Sequence, residues 1–220
     1  MATVVIVGAG VTGLLTAIEC ALAGHQVTVL DRGAIPNPES SSFDQHRAIR
    51  ALTPGDVAAT RRMAAARRRW LELEVLLGTK FYRRVGIVTA LPREQLAMAV
   101  ETANNAGLSV ESVEPEKLSP VTFPADSAAV LETDAGVLLA ERVLRVATQW
   151  LIAHPAVTLR PWCRVADVQS RRVLLAGGEL LRPDMTVIAA GPWSRDLVDA
   201  PVLLHRQTMV YLRPPENLLP

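Results

Sequence analysis

The apolar pattern changes period twice within the first thirty residues. Thr3–Val7 is an unbroken run, mostly β-branched, read as a strand buried on both faces. Small apolar residues then recur with a helical period to about Ala23, where Gly24 and His25 close the helix. Gln26–Leu30 returns to a strand, ended by Asp31. A longer helix is expected from Thr53 to about Leu77, with Thr53 as cap, Pro54 at the first helical position and Gly78 as stop. Its apolar stripe is interrupted: Val57, Met63, Trp70, Leu73 and Leu77. Phe81–Ala90 reads as one strand with Gly86 inside it, and Pro92–Asn105 as a helix stopped by Gly107. Leu108–Val113 and Ala128–Glu132 are short strands, separated by a proline-rich connection over Glu114–Pro124 that holds a possible turn of helix. Ala140–Ile152 is the clearest amphipathic helix, with Val143, Leu144, Ala147, Leu151 and Ile152 on one face. Val157–Arg160 and Arg164–Gln169 are strands, and Arg172–Ala176 and Glu179–Arg182 flank a Gly177-Gly178 hairpin turn. Thr186–Gly191 is a buried strand ending in small residues, and Leu203–Leu212 is a last strand.

The joint between the first strand and the first helix carries Gly8, Gly10 and Gly13. Strand, glycine turn, helix, strand and acid together form the dinucleotide-binding fingerprint. Gly8 permits the tight turn, Gly10 lets a pyrophosphate approach the backbone, and Gly13 lets the helix lie close to the sheet. The helix start offers unpaired N–H groups and the positive dipole end to the phosphates. Asp31 follows the first glycine by about 20 residues, as the fingerprint requires. Its carboxylate is expected to take both hydroxyls of an adenosine ribose and to repel a 2′-phosphate, which disfavours NADP.

Composition narrows the class. The chain has 220 residues, half of them hydrophobic, enough for a real core and for one domain or one and a half. The formal charge is +1, so nothing electrostatic points to a nucleic-acid partner. Cys20 and Cys163 form no paired or metal-binding spacing; no metal is expected, and a reducing cytoplasm is the expected compartment. No apolar stretch is long enough to span a bilayer. With the first strand beginning at residue 3, no signal peptide is expected. The order of elements divides the chain into a nucleotide-binding part over 1–80, an inserted second domain over 81–133, a return to the first over 134–200, and a returning segment over 201–220.

Two further stretches hold candidate chemistry. The turn-rich loop from Arg32 to Phe43 leaves the end of the second strand, on the ligand side of a parallel sheet. Ser40, Ser41 and Ser42 there are donors for a phosphate or a ribityl chain, or simply part of a solvated loop. Arg47 and Arg50 would share one side of a helical turn. One guanidinium would stabilise negative charge on a redox ring, and the other would clamp a substrate carboxylate by two bonds. Two surface arginines remain the plain alternative. Arg61, Arg62, Arg67, Arg68 and Arg69 make a basic helix face, read as solvated because no aromatic residues interleave it.

Together these residues resemble the FAD-dependent D-amino acid oxidase superfamily, above all its sarcosine oxidase, N-methyl amino acid oxidase and glycine oxidase members. The matching pieces are Val4–Gly13, Ser41 and Ser42 with Arg47–Arg50, Phe81–Gly86, Ala135–Ala140, Asp184–Ser194 and His205–Gln207. The resemblance implies an α/β fold: a Rossmann-like FAD-binding domain interleaved with an antiparallel substrate domain, here incomplete. It implies that Gly8, Ala9, Gly10, Val11, Thr12 and Gly13 hold the FAD pyrophosphate, with Asp31 and Arg32 at the adenosine side. Ser41 and Ser42 would approach the flavin, Val165 would contact adenine through its backbone, and Ala190, Gly191 and Trp193 would form a second flavin-facing segment. Arg47 would lie against the isoalloxazine and Arg50 would bind the substrate carboxylate. The implied reaction oxidises the C–N bond of a small amino acid or N-methyl amino acid to an imine, with O2 as acceptor and H2O2 as product.

The chain departs from the family pattern in three places. Phe43 stands where sarcosine oxidases tend to have histidine, and Asp31 replaces the commoner glutamate. Members also continue well past residue 220, through further substrate-domain strands and a lysine near flavin N5. The 220 residues are therefore expected to be inactive alone, and a second chain could complete the substrate domain. An FAD-dependent hydroxylase and a non-catalytic remnant or subunit are the competing classes. The arginine pair favours the oxidase over the hydroxylase.

Overall fold

The run Thr3–Val7 forms strand β1, and the glycine turn opens helix α1 (Val11–Leu22), which returns through β2 (Gln26–Leu30). The computed structural model describes residues 1–118, 123–199 and 203–205. The chain continues through β3 (Arg47–Ile49), α2 (Val57–Leu76), β4 (Tyr82–Arg84), β5 (Ile87–Pro92), α3 (Leu96–Ala106) and β6 (Val110–Val113). β7 (Ser127–Glu132), β8 (Gly136–Leu138), α4 (Ala140–Ala153) and β9 (Val157–Arg160) follow. The last elements are β10 (Val165–Gln169), β11 (Arg172–Leu175), β12 (Leu180–Leu181), β13 (Met185–Ile188) and a 3-10 turn over Gly191–Asp196. The expected strand Leu203–Leu212 lies largely outside the described residues, as does most of the 201–220 segment.

β13, β1, β2 and β9 form one sheet in that order, every neighbour parallel. Both faces of β1 are covered, which is why it reads as a continuous apolar run. Val4 and Ile6 join Val27 and Val29 against Leu14 and Ile18 of α1 and Leu144 and Leu151 of α4. Val5, Val7 and Leu30 face the other way, onto Val173 and Leu175 of the antiparallel β10–β11–β12 sheet. This is a Rossmann-like region, with helices on one face and a small sheet on the other.

A separate antiparallel region is inserted between β2 and β9. It consists of the β3–β8–β4 sheet and the β5–β7–β6 sheet. Helix α3 packs on the second of these, burying Ala99 and Ala103 against Leu91 and Val130. The expected single strand over Phe81–Ala90 is two strands in two different sheets. Gly86, at φ +71°, breaks it, and its N–H turns to the carbonyl of Ala135 at 2.9 Å.

Other expectations shift for local reasons. Thr53 does not cap α2. The Asp56 N–H closes a turn onto the Thr53 carbonyl at 3.0 Å, and Asp56 is the cap, accepting the Ala59 N–H at 2.7 Å. The Thr186–Gly191 strand ends earlier, at Ile188, because Gly191 starts the 3-10 turn. Near the other end of α2, buried Glu74 accepts the N–H groups of Phe81 and Tyr82 at 2.6 and 2.7 Å and the Lys80 ammonium at 3.0 Å. That carboxylate joins the helix to β4.

Candidate functional site

The carboxyl ends of β1, β2 and β13 converge on the glycine turn. Gly8 has φ +105°, and a side chain there would strike the Ala189 carbonyl just after β13. A side chain at Gly13 would strike the Gly8 carbonyl, so α1 can start this close to β1 only with glycine at that position. Gly10 is the cap position of α1 and makes no side-chain cap bond. Among the described residues, the N–H groups of Thr12 and Gly13 meet no protein acceptor. Open donors at a helix start, on a turn whose glycines leave no side chain in the way, suit a pyrophosphate.

A cavity of about 430 Å³ opens over this turn. Gly8, Gly10, Val11, Thr12, Asp31, Arg32, Ser41, Ser42, Val165, Ala190, Gly191 and Trp193 all line it. The structure therefore brings together residues that are far apart in sequence. Ala9 and Gly13 stand behind the lining, where they shape the turn. Arg47 and Arg50 lie outside it.

Asp31 is 9% exposed and heavily engaged. Oδ2 accepts the Ala9 N–H at 2.9 Å, while Oδ1 accepts the Gly33 N–H at 2.9 Å and the Asn37 amide at 2.8 Å. A carboxylate has about four lone-pair sites, so the expectation that Asp31 takes both ribose hydroxyls narrows to about one. The shorter aspartate stays within reach of the turn it stabilises.

Asn37 is a site residue that sequence reasoning missed. It lines the cavity, is 5% exposed, and accepts the Glu39 N–H at 2.9 Å. Asparagine bonding two residues ahead, between prolines, is a turn signal that was available in the sequence. Cys163, Arg164 and Asp196 also line the cavity and lacked any such signal. The Cys163 N–H bonds the Asp31 carbonyl at 2.7 Å, fixing one rim to the end of β2.

Two of the lining side chains touch each other. The Arg32 guanidinium lies 3.8 Å over the Trp193 ring, a cation–π contact between the end of β2 and the 3-10 turn. Beyond the rim, Glu179 holds Arg160 by two bonds of 2.8 and 2.6 Å. That guanidinium keeps the Glu179 carboxyl below its ordinary value. The serines divide. Ser42 Oγ accepts the Val11 N–H at 3.0 Å, so it sits at the helix start. Ser40 Oγ lines the cavity, buried and, among the described residues, without a hydrogen-bond partner.

The arginine pair is not on a helical turn. Arg47 begins β3 and Arg50 follows its end, so extended backbone sends positions three apart to opposite faces. Their surroundings differ. Arg47 pairs with Asp44 at 2.5 Å and donates to the Ser41 carbonyl at 2.8 Å. Arg50 is exposed, and its Nη1 donates to the Leu52 carbonyl at 3.0 Å. Among the described residues, the rest of its donor fork meets no acceptor.

Residues 3–220 match the model of the family described as FAD dependent oxidoreductase. The chain is 26% identical over 225 residues to peroxisomal sarcosine oxidase of Mus musculus, covering 95% of this chain and 56% of that protein. It is 25% identical over 238 residues to glycine oxidase of Pseudomonas putida, covering 99% and 64%. The chain thus spans 56 to 64% of the length of these curated relatives. Among solved structures, the fold is similar to NikD, an unusual amino acid oxidase, in its open form (TM-score 0.77, 22% identity, 90% of this chain and 53% of that one). L-proline dehydrogenase from P. horikoshii gives a TM-score of 0.76 at 20% identity, covering 89% and 54%. A glycine turn with open donors, a parallel sheet ending at it, an inserted antiparallel region and a family match along nearly the whole chain lead to one assignment: the chain belongs to the FAD-dependent oxidoreductases of the D-amino acid oxidase superfamily, and FAD is its cofactor.

Proposed function

We propose that this chain holds FAD for the oxidation of a small amine that carries a carboxylate, an amino acid or N-methyl amino acid, to the imine. Arg50 carries this reading. A guanidinium with an open donor fork, anchored at one nitrogen, is suited to a bidentate carboxylate. The curated relatives are oxidases of sarcosine and glycine by name, which fits a substrate of that size.

The residues divide the work. The N–H groups at the start of α1, with Ser42, hold the pyrophosphate, and Asp31 takes a ribose hydroxyl. Arg32 and Trp193 close the mouth over the nucleotide, Val165 meets the adenine, and Ala190 and Gly191 leave room for the flat ring system. Arg47, tied to Asp44 and Ser41, keeps the loop between β2 and β3 in place. Bound FAD would supply the two-electron acceptor for oxidation of the amine to the imine, with O2 as the final acceptor and H2O2 as its product. Arg50 orients the amine by its carboxylate, so that the carbon to be oxidised faces the flavin.

The nucleotide-binding part is proposed to comprise 1–80 and 134–200, and the substrate part 81–133 with the segment after 201. A reducing cytoplasm is the proposed compartment, from the two unpaired cysteines.

The test compares two amines that differ only in the carboxylate. In the complete enzyme, Arg50→Ala should raise KM for the carboxylate-bearing amine by a factor equivalent to roughly 1.5–3 kcal/mol, and leave the amine without it nearly unchanged. Equal effects on both amines refute the assignment.

A further inference from the structure

Glu132 is a charged side chain that the proposed reaction does not use, yet it is only 1% exposed. It ends β7, where the β5–β7–β6 sheet passes the chain toward β8 and the β3–β8–β4 sheet. Both of its oxygens bond to backbone: Oε2 accepts the Ala51 N–H at 2.7 Å and Oε1 accepts the Leu52 N–H at 3.1 Å. Burying a carboxylate is costly, and hydrogen bonds to the charged form offset that cost. A carboxylate presents an acceptor to each of two successive N–H groups. Glutamine would set an amide donor against one of them.

The chain of contacts continues. Ala51 and Leu52 directly follow Arg50, and the Leu52 carbonyl accepts Arg50 Nη1 at 3.0 Å. Leu52 is thus gripped at its N–H by Glu132 and at its carbonyl by Arg50. A buried carboxylate, a fixed peptide and an exposed guanidinium are linked through one residue. A guanidinium held in this way gives up less freedom when a ligand binds.

We propose that Glu132 is a positioning residue for Arg50: its carboxylate fixes the Ala51–Leu52 backbone, and through the Leu52 carbonyl this aims the guanidinium at the substrate carboxylate. The proposal rests on the reading of Arg50 given above. Glu132 itself touches neither substrate nor cofactor.

The test uses the FAD-loaded protein and the affinity for propionate, a carboxylate without an oxidisable amine, measured by calorimetry. Glu132→Gln should weaken propionate binding about tenfold when Arg50 is present. In an Arg50→Ala background it should change the affinity less than about twofold, with FAD affinity held in both. Amide hydrogen exchange at Ala51 and Leu52 should also quicken. Equal weakening in both backgrounds, no weakening with Arg50 present, or unchanged exchange each overturns the role of Glu132. If Arg50→Ala alone leaves propionate affinity intact, the reading of Arg50 itself fails, and this proposal with it. Should Glu132→Gln not fold, Glu132→Asp keeps the charge but draws it back by one methylene. A smaller loss that disappears in Arg50→Ala supports the proposal, and one that persists overturns it.

Discussion

Arg47 and Arg50 are three positions apart and carry the same charge, yet they are prepared for different work. Arg47 is tied to Asp44 and to the Ser41 carbonyl, so removing it should free the loop between β2 and β3 and disturb the rim that Ser41 and Ser42 supply. Arg47→Ala is expected to weaken FAD binding by roughly 1–3 kcal/mol and to leave the affinity for a simple carboxylate nearly unchanged. Titration of the two variants with FAD and with propionate checks this, and a larger carboxylate loss in Arg47→Ala than in Arg50→Ala would reverse the two roles. The sequence shows that two arginines lie near a ligand loop. It does not show that one is already paired, because Asp44 and Ser41 become partners only when the loop folds back. Asp31 is similar: its position at the end of β2 was legible, but its bonds to Asn37 and Gly33 depend on the course of the following loop.

At the level of elements, the long regular pieces were legible because period and stop signals agree. α1, α4, β1, β2 and β9 fall where the pattern puts them. β3 and β8, three residues each, were not, since a strand that short has no period to read. The break at Gly86 was hidden for a related reason. Glycine inside an apolar run reads as a bulge, and only the pairing partners reveal that the chain changes sheets there.

The joint between α2 and β4 gives a prediction about pH. Burial alone would raise the Glu74 carboxyl, but the Tyr82 N–H, the Lys80 ammonium and the Phe81 N–H together outweigh it and hold the carboxyl below its ordinary value. A carboxyl lowered by folding stabilises the native state above its unfolded pKa of about 4.3 and loses that contribution as pH falls through its lower folded value. Melting temperature should therefore drop between pH 5 and pH 3, and Glu74→Gln should show a shallower drop from a lower starting value. Parallel curves for the two proteins would mean that Glu74 is not the group responsible.

At the scale of the whole molecule, the nucleotide end and the proposed substrate anchor are separate. The cavity runs from the glycine turn to Ser42 and Trp193, while Arg50 lies outside its lining. The chain also spans 56% of the sarcosine oxidases it matches. On their own, the 220 residues are expected to bind FAD weakly and to oxidise amines near the free-flavin background, because water would reach the ring in an open site. Peroxide formed from sarcosine at about 1 s⁻¹ or faster would show instead that these residues enclose the flavin unaided. Architecture at this scale was legible from motif order: nucleotide turn, inserted strands, amphipathic helix, second small-residue strand. How the two regions share α2 was not, because its apolar positions serve two cores, Ala64 in one and Leu73 in the other.

The central claim is that the cavity over Gly8–Gly13 is an FAD site that excludes NADP. The most direct measurement is to dialyse the purified chain to equilibrium against an equimolar mixture of FAD and NADP, denature the protein fraction and separate what it held in excess of the free nucleotide. The account predicts FAD, released intact and without a covalent bond to the chain. Recovery of NADP in place of FAD would contradict it.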